Sequence, residues 1–273
     1  MTTTLTEPLK PNWRTWQPLD RAKLLERTRM DSIRLDPALI LSRARMPPDP
    51  WQARVLRGSW TDRLLLLCSR QAGKSTTAAA LALRQALLEP DSLILVLSPT
   101  LRQSGEFFRD KVLRIWRALG CPLKRRNPTQ LELELSNGSR IVSLPENEEG
   151  IRGFSSVALL IIDEASRVDD ALYHTVRPML AVSKGKLLAL STPFGQRGWF
   201  FDNWDKGANW IKVKVTAAEC PRISAAFLAE EKVSKGERWF KQEYFCSFES
   251  AVDQVFSPEV IRRAVRPDIA PLW

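Results

Sequence analysis

LLLLCSRQAGKS, residues 64–75, is the stretch on which the fold turns. Its four leucines, 64–67, form a short apolar run of the length and character of a strand buried on both faces. Residues 76–88, TTAAALALRQALL, are rich in Ala and Leu and predict a helix. Between them stands Gly73-Lys74-Ser75. Strand, Gly-Lys-Ser loop and helix together make a phosphate-binding loop. The helix start offers unpaired backbone N–H groups and the positive end of its dipole to a polyphosphate. Lys74 is placed to reach the terminal phosphates as a point charge, and the Ser75 hydroxyl to ligate Mg²⁺. Ser69, Gln71, Ala72, Gly73 and Thr76 complete the expected nucleotide contacts. The loop departs from the usual G-x-x-x-x-G-K-[ST] pattern, with Cys68 where the first Gly belongs and Arg70 inside the cradle.

A second apolar run, 157–162, ends in Asp163-Glu164. Two carboxylates at the C-terminal end of a buried strand lie where ligands sit in open α/β sheets. Asp163 is the expected second Mg²⁺ ligand, and Glu164 the group that orients and deprotonates an attacking water. Two further runs, 92–97 and 186–190, predict buried parallel strands, and the second ends in Ser191-Thr192-Pro193. A hydroxyl pair at that tip either senses the γ-phosphate or caps the next turn. Trp51 and Gln52 lie about twenty residues before the loop, where an amide can read the adenine edge and an aromatic ring can cover the base.

The chain has 273 residues and a formal charge of +10, a surplus that suits a polyanionic partner such as nucleic acid. Eight basic residues between Arg102 and Arg126 face only Glu106 and Asp110, as a phosphate-tracking surface or as a solvated helix face. Cys68, Cys121, Cys220 and Cys246 lack metal-ligand spacing, and the lone His174 excludes a multi-histidine metal site. The N-terminal residues lack a signal-peptide pattern, and no apolar run reaches the ~20 residues that span a bilayer. A soluble intracellular protein is therefore expected.

Residues 1–46 read as a helical appendage, with helices at 20–30 and 37–45, that either contacts a partner or packs on the domain. Pro47-Pro48-Asp49-Pro50 reads as a linker. The core spans 47–216. In it, 101–119 is a helix with Phe108, Val112, Ile115 and Leu119 on one face, and 131–145 a hairpin turning at Asn137-Gly138. A fifth strand covers 209–216, helices at 223–233 and 237–245 form a small subdomain over 217–256, and 257–273 is a tail.

Gln52, SRQAGKS (69–75), IRG (151–153), LLIIDEAS (159–166), LSTPFGQRGWFF (190–201) and FKQEYFCSF (240–248) follow in an order and spacing that resemble the ATPase domain of the large terminase subunit of tailed phages. The resemblance covers roughly 50–256. It implies an α/β P-loop NTPase of the RecA/ASCE type, with a mostly parallel sheet flanked by helices, a β-hairpin insertion and a small helical C-terminal subdomain. It implies ATP and Mg²⁺ as cofactors and ATP-driven movement of double-stranded DNA into a prohead. The implied partners are the portal protein, the small terminase subunit and further copies of the chain in a ring of five, in the host cytoplasm and without a membrane. By the same resemblance Arg70 acts on the phosphates within its own subunit. Arg152 serves as a finger to the neighbouring subunit, and Ser191, Thr192 and Pro193 couple hydrolysis to movement. The family's nuclease domain is expected to be absent, since few residues follow Val255-Phe256 and no acidic cluster remains for two metals. Two other readings stay open: a helicase-like DNA-dependent ATPase, and a nucleotide-binding DNA clamp that does not hydrolyse.

Overall fold

The computed structural model describes residues 30–60, 62–127, 129–146, 149–249, 260, 263 and 264. The helix expected over 20–30 falls almost wholly outside them, as does the Val255-Phe256 boundary. The described residues build one eight-stranded sheet in the order β3-β4-β5-β2-β6-β7-β1-β8. The strands are β1 (Arg63–Cys68), β2 (Leu93–Ser98), β3 (Arg125–Arg126), β4 (Glu132–Leu135), β5 (Arg140–Pro145), β6 (Val157–Asp163), β7 (Lys186–Ser191) and β8 (Ile211–Val215). All neighbours are parallel except β3–β4 and β4–β5.

Strand alternation sorts the leucine-rich runs onto two faces. Leu64, Leu66, Ile94, Val96, Leu159, Ile161, Leu188 and Leu190 pack into one core. It is covered by α1 (Leu39–Arg43), α2 (Pro50–Arg57), α3 (Lys74–Leu88), α4 (Leu101–Glu106), a π-helical segment (Phe107–Leu113) and α5 (Arg114–Ala118). Leu65, Leu67, Leu95, Leu97, Leu160, Ile162, Leu187 and Ala189 face the second core, under α6 (Asp170–Val176) and α7 (Gly198–Asp205). Each buried leucine contributes about 2 kcal/mol, and burial on both faces is why these strands read as unbroken apolar runs. The α3 alanines 78, 79, 80, 82 and 86 are buried; their small side chains let the helix lie close on the sheet.

Three expectations change in detail around a hairpin that forms as expected: β4 lies antiparallel beside β5 and β3 beside β4, and β5 itself pairs in parallel with β2 along its whole length. The hairpin turn is a three-residue loop, closed by Leu135 N–H to Ser139 O at 2.8 Å, with Gly138 at φ 84° and Asn137 off the left-handed region. The helix over 101–119 is interrupted by the π segment, which brings Phe107 and Leu113 into the core beside Phe108, Val112 and Ile115. The segment 47–50 is no linker: Asp49 and Gln52 form a capping box that starts α2. Of the two readings of the N-terminal region, packing holds for residues 33–44, where Ile33, Ala38, Ile40, Leu41 and Ala44 join the first core.

After β8 come α8 (Ala225–Lys235) and α9 (Glu237–Phe245). No α8 residue is buried, whereas Phe240, Glu243 and Tyr244 of α9 are. No helix among the described residues is long and apolar enough to cross a membrane.

Candidate active site

The C-terminal ends of β1, β6 and β7 lie side by side, with Leu67 opposite Ser191 and Asp163 opposite Leu190. The loop that leaves β1 is tied down at its front and open at its back. Cys68 is fully buried, and burial pushes its thiol pKa up, so it ends the strand as a neutral apolar residue. Ser69 N–H donates to Val215 O and Arg70 N–H to Glu243 O, both at 2.8 Å. Gln71 and Gly73 then take left-handed φ values of 61° and 92°. A Cβ on Gly73 would lie 2.9 Å from Gln52 Nε2, so strain and crowding both require glycine. The first-turn N–H groups of α3, on Lys74, Ser75 and Thr76, have no intrahelical acceptor, and Gly73 offers no side chain to cap them. Residues 73–76 are only half-buried, so these donors are open to a ligand.

The two expected metal ligands meet: Ser75 Oγ donates towards both Asp163 oxygens at 3.3 Å. A hydroxyl and a carboxylate are hard oxygen donors of the kind Mg²⁺ takes when phosphates and water complete its shell. Among the described residues no three His, Cys, Asp or Glu come together as a metal cage. Lys74 Nζ lies 2.9 Å from Glu164 Oε1. Burial pulls the Lys74 pKa down, but the Glu164 and Asp163 charges outweigh it, and the ammonium is held above its ordinary value. Glu164 sits in the left-handed region at φ 52°, ψ 41°, a conformation costing about 1 kcal/mol or more and characteristic of functional positions.

Burial first, and the Glu164 charge second, push the Asp163 carboxyl up to about 6, against the pull of Lys74. The sign follows from linkage. Below the ordinary value of 3.8 both folded and unfolded states are protonated, and stability falls as pH rises towards 6 because only the unfolded state ionises freely. Asp163→Asn removes that cost. It is expected to raise the melting temperature of the nucleotide-free protein at pH 8 by about 5 °C, from on the order of 2 kcal/mol. The gain should shrink as the pH drops through 6, and thermal scans across pH 4–8 check both size and direction.

Ser166, the last residue of LLIIDEAS and without an assigned role from the sequence, links the carboxylates to the β7 tip. Its hydroxyl donates to Thr192 O at 2.8 Å and therefore accepts from Ser191 Oγ at 2.6 Å. Ser191, Thr192 and Pro193 are all buried. Beyond them Phe194 lies under the guanidinium groups of Arg167 and Arg197, and Gln196 Nε2 donates to Phe248 O at 2.8 Å. The tip thus connects the carboxylate strand with the chain after α9.

The base-side expectations do not survive. Trp51 is 1% exposed and packs in the first core, so it cannot cover a base. Gln52 is buried too. Its amide donates to Gly73 O (3.2 Å) and Thr77 Oγ1 (2.9 Å), and its carbonyl accepts from Asp49 N–H (2.9 Å). Both amide donors are used, and the residue clamps the loop to α2. Arg70 Nε lies 3.1 Å from Glu243 Oε2 without hydrogen-bond alignment, so the loop arginine is held by α9. Glu243 lies within FKQEYFCSF but had no role assigned from the sequence, and Arg222, which donates to Asp49 Oδ2 and Ala72 O, lies in no motif.

Arg152 is not part of this cluster. It lines a cleft of about 700 Å³ with Phe154, Ser156, Thr175 and Val182, at the N-terminal end of β6. The larger cleft, about 870 Å³, lies at the same edge of the sheet, around Asp62, His174 and Lys184, away from the loop and the paired carboxylates.

Residues 65–263 match the family described as terminase large subunit, T4likevirus-type, N-terminal. No curated protein sequence matches the chain. Among solved structures, the large terminase ATPase domain of Thermus phage P74-26 is similar at 18% identity and TM-score 0.67, covering 77% of this chain and 97% of that one. The large terminase of a thermophilic bacteriophage gives 16% identity and TM-score 0.62 over 74% of this chain and 54% of that one. The bacteriophage HK97 large terminase gives 15% and 0.59, over 74% and 50%. The chain therefore spans the length of the first and about half of the other two. A sheet of this order, with its phosphate loop and paired carboxylates at one edge and a family match over most of the sequence, establishes that the chain belongs to the large terminase subunit family and carries its N-terminal domain.

Proposed function

We propose that this chain hydrolyses ATP to drive double-stranded viral DNA into a prohead. The observation that carries the reading is the convergence of Lys74, Ser75, Asp163 and Glu164 at one sheet edge, with contacts of 2.9 and 3.3 Å. The large terminase of the thermophilic bacteriophage compared above has been crystallised with ADP and with ATP-γ-S, which supports a nucleotide in the equivalent place.

The residues divide the work. The N–H groups of 74–76 receive the phosphates, and Ser75 and Asp163 hold Mg²⁺, which supplies charge neutralisation for phosphoryl transfer. Without nucleotide, the Glu164 carboxylate is engaged by Lys74 Nζ at 2.9 Å. A bound triphosphate competes for Lys74 and frees the Glu164 carboxylate to orient and deprotonate water. Arg70 must exchange Glu243 for the phosphates to act there, which ties turnover to the position of α9. Arg70→Ala is accordingly expected to leave ATP affinity nearly unchanged and to lower turnover by about 10³-fold. Equilibrium binding and phosphate release check the two halves separately. Arg152 completes a neighbour's site in a ring, and the 191–193 tip relays loss of the γ-phosphate through Ser166 and Gln196. The portal protein and the small terminase subunit are the docking partners of such a ring.

The direct test is Mg²⁺-dependent phosphate release with and without linear double-stranded DNA. Turnover that DNA stimulates, with a stimulation that weakens steeply with salt, is the expected result. Nucleotide binding with no hydrolysis under either condition would leave a DNA clamp instead.

A further inference from the structure

With Trp51 and Gln52 buried in the protein's own packing, the nucleotide base needs another partner, and the structure offers one. We propose that Arg222 forms the base-side wall of the site, its guanidinium plane stacking on the purine ring of the bound nucleotide. This rests on the ATPase reading and adds to it the residue that distinguishes a purine nucleotide from a bare triphosphate.

The direction of the bound molecule follows from the sheet. Ser75, Asp163 and Glu164 put the metal and the terminal phosphate on the β6–β7 side of β1. A nucleotide laid across the loop then carries its base to the opposite side of β1, where β8 lies. The chain leaving β8 delivers Arg222 there, against the loop. Its Nη2 donates to Asp49 Oδ2 at 2.6 Å and to Ala72 O at 3.0 Å, and stands 3.1 Å from where a Gly73 Cβ would be. Asp49 is itself fixed by the α2 capping box and is only 9% exposed on its side chain. Arg222 is therefore anchored at one nitrogen while 58% of its side chain stays exposed.

A cation beside the electropositive end of α3 needs a reason, since it opposes the pull of that end on phosphate. Asp49 neutralises it, and the remaining property is a flat, weakly hydrated, pre-positioned plane, which is what stacks on aromatic faces. Lysine at this position would keep the ion pair and lose the plane.

Binding of a fluorescent ATP analogue to the full chain with Mg²⁺, competed by ATP and by inorganic tripolyphosphate, separates base from phosphate recognition. Arg222→Ala is expected to weaken ATP by about tenfold and tripolyphosphate by less than about twofold. Arg222→Lys should keep the wild-type melting temperature and still lose most of the ATP affinity. Lys74→Ala should weaken both ligands. Equal loss of ATP and tripolyphosphate in Arg222→Ala would make the residue a tether of the loop and overturn the proposal. So would an Arg222→Lys variant that binds ATP as the wild type does. A wild-type chain that binds neither ligand would instead sink the ATPase reading itself, and this proposal with it.

Discussion

Replacing Glu164 with glutamine is expected to cut ATP turnover by about 10³-fold while ATP affinity stays within a few-fold of wild type. The substitution is nearly isosteric, and the new side chain still offers Lys74 Nζ an oxygen at the position now 2.9 Å away. What it loses is the ability to take a proton. The loop N–H groups, Ser75 and Asp163 are untouched, so the binding surface persists. Lys74→Ala provides the contrast, because it removes a charge that binds as well as one that reacts, and affinity and turnover should fall together. The two are read by equilibrium nucleotide binding and by phosphate release under saturating ATP. Turnover preserved in Glu164→Gln would take the base role away from this residue and leave it as the resting partner of Lys74.

The same residues show what a sequence can and cannot disclose. Strand, loop and helix over 63–88 were legible because their determinants are local: four leucines, a glycine that must turn left-handed, and an alanine-rich run. Asp163-Glu164 was legible because a strand end and a carboxylate pair adjoin in sequence. Ser75 and Asp163, 88 residues apart, could be paired only because each carries its own motif. Where a residue has no motif, its partner was invisible. Arg222 reaches back 173 residues to Asp49. Glu243 does lie in a motif, FKQEYFCSF, but nothing local in that stretch shows that it holds both the backbone and the side chain of Arg70. Trp51 misled for the opposite reason. An aromatic near a nucleotide motif suggests stacking, but burial of one face of α2 sends this ring into the core. The β4–β5 hairpin was legible from Asn137-Gly138, whereas the parallel pairing of β5 with β2 depends on where the sheet places it. The π segment shifts no apolar residue in the sequence and so leaves the 3.6-residue pattern looking intact.

Arg152→Ala is expected to be as inactive as Glu164→Gln, and an assembled mixture of the two is expected to regain activity. Arg152 stands in the cleft at the start of β6, whereas Asp163 closes that strand six residues beyond Val157, about 20 Å away along an extended chain. No hydrogen-bond or ion-pair partner holds Arg152 among the described residues, so its charge is free to act on something outside its own subunit. A guanidinium that far from its own loop can stabilise phosphoryl transfer only across an interface. In a head-to-tail ring each site then combines the loop of one subunit with the arginine of the next. An Arg152→Ala subunit retains a sound loop, and a Glu164→Gln subunit retains a sound arginine. When the second follows the first, one complete site forms, so random mixing should restore about a quarter of the sites. Phosphate release from co-assembled rings measures this directly. A mixture as silent as its two components would place Arg152 within its own subunit's chemistry or outside the chemistry altogether, and full activity of Arg152→Ala alone would reduce it to a loop residue.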